Sequence, residues 1–290
     1  MTKPLTPNGS QAPAFTDDGE TLESQRRALA LKLNGRQSAK YSRVLLAALS
    51  GIPWVGSFLG AAGTYSAEVE NEQLSELQRL WLREHEAKLK RLGITLASVV
   101  GRLDSFGEDL QERIQSEEYL SLVRQGFRSW DQAETEEKRE FIRKLLENAG
   151  GTKLCPDDLV RLFIAWIDTY HESHFAVIRV LHQNVGSTRA DIWREIHGQR
   201  VREDSAEADL FKLLVRDLST GGVIRQHRDT TAYGEYVRKA RTSSGKRASS
   251  TMKSAFDDQE PYELTQLGKQ FVQYTMNELV SQLGQSDNGT

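Results

Sequence analysis

The sequence predicts a mainly α-helical protein with one small β-hairpin near its end, and three observations carry that prediction. Apolar residues recur at helical spacing through the first two thirds, as at Leu92, Leu96, Val99, Leu103, Phe106 and Leu110. No period-two run of β-branched residues occurs before Val223. Helix-start residues precede the later apolar runs: Thr135, Pro156, Ser187 or Thr188, Asp204 or Ser205, and Thr265. With 38% hydrophobic and 27% charged residues among 290, the chain has enough apolar side chains to fold.

The first 20 residues, rich in Pro, Gly, Ser and Thr, read as a disordered tail. Residues 21–174 read as an all-α module. A short basic helix around Arg26 to Lys40 precedes an uncharged hydrophobic stretch at 44–67, and then comes a Glu/Gln/Leu-rich run. Leu74, Leu77 and Trp81 share the heptad rhythm of the later seam once four residues are inserted near His85, which is coiled-coil-like packing with a stutter. Gly93, Gly101 and Gly107 weaken that helix, so a homo-oligomer and a fold-back within one chain are both open. Amphipathic helices follow, one through Leu120, Val123, Phe127 and Trp130, and one opened by Thr135. Gly150-Gly151 is the expected left-handed C-cap of the second, and Pro156 opens a longer helix reaching Ile178.

Residues 175–290 change character. Three helices, one ending near His182, a short one after it and a third stopped by Gly221-Gly222, lead to a strand at Val223 to His227. A polar, basic insertion at 229–261 separates it from a returning strand at Pro261 to Leu264, and Thr265 opens a last amphipathic helix. This order, with Y-x-L-T-x-L-G at residues 262–268, resembles the winged-helix superfamily. The resemblance implies that the helix after Ser205 faces a partner, nucleic acid or protein, with the insertion as a wing. In the nucleic-acid case it implies Lys212, Arg216, Arg225, Arg228, Arg241, Lys246 and Arg247 as the phosphate-facing residues. Glu203, Asp204, Glu207 and Asp209 crowd the groove-facing end of that helix and repel phosphate. The run 131–151, DQAETEEKREFIRKLLENAGG, with its Leu145, Leu146, Asn148 and Ala149 turn, followed by CPDDLVRLFIAW, resembles the Abi-alpha group of abortive-infection-associated bacterial proteins. That resemblance implies a place in phage defence and brings no catalytic residue with it.

The stretch 44–67 has the length of a membrane span but contains Pro53 and four glycines. Two half-helices joined at Ser50 to Pro53 are expected. Gly56, Gly60 and Gly63 permit close helix approach, and Trp54 suits either an interface or a core. Membrane contact and burial in the protein's own core are both open. Gly51 to Ser57 imitates part of a phosphate-binding loop but lacks the lysine that reaches the phosphates.

His171 and His174 lie three apart, with His182 beyond, but the metalloprotease spacing H-E-x-x-H is absent, so His174 is expected in the core and no metal is expected. Cys155 stands before Pro156 at a helix start, where the dipole would lower its pKa, yet no base adjoins it in sequence. No cofactor motif and no catalytic constellation emerges. One cysteine and no signal-like opening point to a cytoplasmic protein, inner-membrane associated if 44–67 meets lipid, and the net charge of −3 gives no global pull toward nucleic acid. The reading is a non-enzymatic recognition or effector protein of the defence type. The rival is a DNA-binding regulator with a helical oligomerisation arm.

Overall fold

A computed structural model describes residues 36–55, 76–106, 110–152, 155–199, 201–228, 231–233, 235, 237 and 254–276. The expected tail, the later half of the uncharged stretch and most of the 229–261 insertion lie outside the described residues. The chain divides into two units, residues 1–40 with 73–94 and residues 41–72 with 95–290. It is mainly helical with a small antiparallel sheet of two strands. In the first unit the described residues are helical: 36–40 open α1 (Arg36–Ser50) and 76–94 open α2 (Glu76–Ser105).

In the second unit α1 resumes after a kink at Tyr41, whose φ of −108° and ψ of 15° leave the helical region. The Tyr41 hydroxyl donates to Asp104 Oδ1 at 3.0 Å. Val44, Leu45, Ala47, Ala48, Ile52 and Val55 are buried. The helix stops at Ser50, and helical backbone resumes at Pro53 after Gly51-Ile52, which is the break Pro53 requires. A Cβ on Gly51 would run into the Arg124 carbonyl, so the glycine allows the backbone to lie against the next helical layer. The described half of the uncharged stretch is thus largely core. Among the described residues no helix is long and apolar enough to cross a membrane.

The seam residues Leu92, Leu96, Val99 and Leu103 are buried, but α2 ends at Ser105. Phe106 and Leu110 therefore lie beyond the helix instead of extending it. Next come α3 (Gln111–Gln115), α4 (Glu117–Gln132) and α5 (Glu136–Gly151). Ser116 and Thr135 cap the last two through Tyr119 N–H and Lys138 N–H, and α4 packs along α5. Gly150 and Gly151 do not form the expected left-handed cap. The helix runs through both to an extended Thr152 with φ of −141°. Their role is space, because a Cβ on Gly150 would strike Leu103 and Tyr119, and one on Gly151 would strike Phe106.

The expected single helix after Pro156 is two, α6 (Asp157–Thr169) and α7 (Glu172–Gln183). Tyr170 is extended and the His171 N–H donates to His174 Nδ1 at 3.1 Å, so a local cap replaces the helical bond at that point. Then follow α8 (Arg189–His197), α9 (Ala206–Thr220), β1 (Ile224–Gln226), β2 (Tyr262–Leu264) and α10 (Gln266–Thr275). Thr188, Ser205 and Thr265 cap the three helices. Gly222, at φ of 75°, turns the chain from α9 into β1. β1 pairs with β2 with Ile224 opposite Leu264 and Gln226 opposite Tyr262.

Two aromatic clusters fill the unit. Phe163, Trp166, Phe175, Phe271 and Tyr274 bring α6, α7 and α10 together, and Phe141 of α5 meets Phe175 edge-on at 5.0 Å. Trp193, Phe211 and Phe256 join α8, α9 and the segment before β2. Because α10 packs on α5 and α7, the expected division between residues 174 and 175 falls inside a continuous core. The Leu145, Leu146, Asn148 and Ala149 turn is part of it. Its leucines and alanine are buried, and Asn148 Nδ2 donates to the Tyr274 carbonyl at 2.9 Å.

Candidate anion-binding groove

An open groove of about 520 Å³ lies where the end of α9, the start of α8 and the two strands meet. Arg189, Arg216, Arg225 and Arg228 line it, with Ser219, Thr220, Gln226 and Tyr262 between them. Among the described residues the lining itself holds no carboxylate, while Glu263, Glu260 and Asp217 lie behind it against Arg225, Gln226 and Arg216. The volume falls in the ordinary range for ligand sites, and the cationic content points to an anion.

Each arginine arrives by a different local device. Arg189 is the first residue of α8, a position where the helix dipole disfavours a cation. It is held by Tyr262, whose buried ring lies 5.4 Å beneath the guanidinium and whose hydroxyl accepts from Nη2 at 2.7 Å and Nε at 3.1 Å. Arg225 stands on β1 opposite Glu263 and donates Nε to it at 2.7 Å, a bond that fixes the direction of the side chain. Arg216 is exposed near the end of α9, with Nε 3.7 Å from Asp217 Oδ1. Arg228 follows β1 and is exposed.

Glu263 organises the strand side. It also takes His227 Nδ1 at 2.9 Å. Burial pushes its carboxyl pKa up, but the hydrogen bonds from His227 and Arg225 outweigh burial and hold it below the usual carboxylate range. Gln226 Nε2 donates to Glu260 Oε2 at 2.5 Å. At the groove the end of α9 presents the negative end of its dipole, an opposing effect of roughly 0.3–1 kcal/mol for an exposed anion. One hydrogen bond from a guanidinium is worth roughly 1.5–3 kcal/mol. Several guanidiniums therefore decide the sign of the site.

Three sequence candidates, Arg216, Arg225 and Arg228, meet here. Lys212 does not line the groove and sits 3.5 Å from Asp209 on its own helix. Arg241, Lys246 and Arg247 lie outside the described residues. Arg189 was not among the candidates, although a cation at a helix start is a legible anomaly. The acidic end of α9 is exposed at Glu203, Asp204, Glu207 and Asp209, with Arg202 bound to Asp204 at 2.8 Å.

Pro53 is exposed, and Trp54 is half-buried with Nε1 donating to Asp131 Oδ1 at 2.7 Å; Gly56, Gly60 and Gly63 lie outside the described residues. Cys155 is buried, and burial raises its thiol pKa where a helix start alone would lower it, the hydrogen bond with Tyr274 only moderating the rise. Among the described residues no group of His, Cys, Asp and Glu is placed to hold a metal ion. Comparison with protein-family models, with curated proteins and with solved structures finds no match to this chain.

Proposed function

We propose that the segment from Glu172 to Thr275 is a winged-helix module that binds the phosphate backbone of a nucleic acid through the arginine groove. The observation that carries this is the convergence of Arg189, Arg216, Arg225 and Arg228 from three elements into one lining. The order of three helices, strand, strand and helix supports the winged-helix reading, and the cations of the 229–261 insertion extend the charge in sequence. Base reading by α9 is not part of the proposal. Its first turn offers Glu207 and Asp209 and its outward face Leu210 and Leu213, none of which donates to base edges, while Lys212 sits by Asp209 and Arg216 belongs to the groove. Recognition is therefore backbone-directed and tolerant of sequence. The setting in phage defence rests on the Abi-alpha-like run at 131–151, and the protein acts there by binding and not by catalysis.

The test is fluorescence anisotropy of a labelled mixed-sequence duplex at several salt concentrations. Binding weakens with salt by roughly 0.9 logarithmic units per decade for each phosphate neutralised. Arg189→Ala with Arg225→Ala weakens it about tenfold or more. An affinity that ignores both salt and the double substitution sinks the proposal.

A further inference from the structure

His174 is a buried imidazole, 4% exposed, stacked on Tyr170 with ring centres 5.0 Å apart. Its Nδ1 accepts the His171 N–H at 3.1 Å, so the proton of the neutral ring resides on Nε2. That tautomer denies Nε2 to a metal. The Nε2 atom is buried without a hydrogen-bond partner, an uncommon state for a polar group in a core. Asp217 Oδ2, on α9, lies 3.9 Å from it, beyond hydrogen-bond reach. The other oxygen of that carboxylate lies 3.7 Å from Arg216 Nε. Asp217 thus stands between a buried ring on one side and a groove arginine on the other.

We infer that the phosphate affinity of the groove is switched by pH through Asp217, which passes from Arg216 to His174 when the buried ring gains a second proton. The inference rests on the nucleic-acid reading above. The charged and titratable groups that face His174 are Asp217 from α9, His171 from the cap of its own helix, Lys138 from α5 and the hydroxyl of Tyr170. Burial pushes the His174 pKa down and Asp217 pulls it up; the charges of His171 and Lys138 lower it, the backbone hydrogen bond of His171 raises it, and the net shift is downward. At neutral pH the ring is uncharged and Asp217 offsets the charge of Arg216. On acidification a proton from solvent enters at Nδ1, the cap bond from His171 is given up, and the imidazolium Nε2–H draws the carboxylate over. Arg216 then faces the groove without its counter-charge. Reciprocity follows, because an anion that engages Arg216 leaves Asp217 to the imidazole and raises the ring's affinity for protons by the same factor.

The experiment measures binding of the labelled duplex at about pH 7.5 and about pH 5.5, together with the NMR titration of the His174 ring with and without unlabelled duplex. Wild type tightens about fivefold on acidification, and the duplex moves the His174 titration to higher pH. Asp217→Asn, at a partly exposed position whose backbone bond from Gly221 is kept, binds more tightly at the higher pH and loses that gain. The series is repeated in His227→Gln, since that exposed imidazole also sits on Glu263. If Asp217→Asn keeps the wild-type pH response, or the His174 titration ignores the duplex, the switch is refuted while the groove stands. If wild type binds at neither pH, the groove reading falls and the switch with it.

Discussion

Two tyrosines of the second unit differ in their setting, Tyr274 in the core and Tyr262 at the groove. Both are almost fully buried and both use their hydroxyl, but toward different ends. Tyr274 accepts the Cys155 N–H at 3.0 Å and meets the Thr152 hydroxyl at 2.8 Å, so it ties the link between α5 and α6 to α10. Burial pushes its pKa up to about 12. Tyr262 instead turns its hydroxyl outward to Arg189 and the groove. The contrast teaches that a buried aromatic body closes a core in one place and aims a cation at solvent in the other. Stability and binding should therefore separate under mutation.

Phe271→Ala gives the largest effect. This fully buried ring touches Phe163, Trp166 and Phe175, and truncation should cost roughly 3–5 kcal/mol in urea unfolding while the folded fraction still binds duplex. The Arg189 and Arg225 pair should show the reverse pattern. Loss of binding in folded Phe271→Ala would mean that core and groove are one cooperative element.

Gly150→Ala comes next. Its new methyl meets Leu103 and Tyr119, an overpacking cost of roughly 1–3 kcal/mol read from the unfolding midpoint. A neutral result would show that Leu103 gives way and that the helical layer is looser than the groove.

The smallest effect is a pH dependence of stability. Burial lowers the His174 pKa below the ordinary 6.5, so folding favours the neutral ring. That contribution is full above 6.5 and is lost as pH falls through the folded-state value. Urea midpoints measured down to about pH 5 should decline more steeply in wild type than in His174→Gln. A wild-type midpoint no steeper than the variant's places no shifted imidazole at the junction of α7 and α9.

Local chemistry was legible in the sequence where a side chain meets its own backbone. Thr135 and Thr265 read as caps because the bond they make is three residues away, and Pro53 read as a break for an equally local reason. The two glycine pairs show the limit. Gly221-Gly222 ends a helix through a positive φ at Gly222, whereas Gly150-Gly151 continues one because Leu103 and Phe106 approach from elsewhere in the chain. The groove was half legible. Arg216, Arg225 and Arg228 stand near one another in sequence around a turn, but Arg189 joins them only through Tyr262, 73 residues on.

Asn148 and Tyr274 are 126 residues apart, and that separation shapes how the chain is made. On the ribosome α10 emerges after every other helix described, so Phe163, Trp166 and Phe175 wait without their cover while the insertion at 229–261 is still being synthesised. Exposed aromatic surface of that kind engages chaperones or aggregates. Completion of the core and assembly of the groove then coincide, because β2 and α10 leave the tunnel together, and a chain interrupted before Tyr262 presents neither.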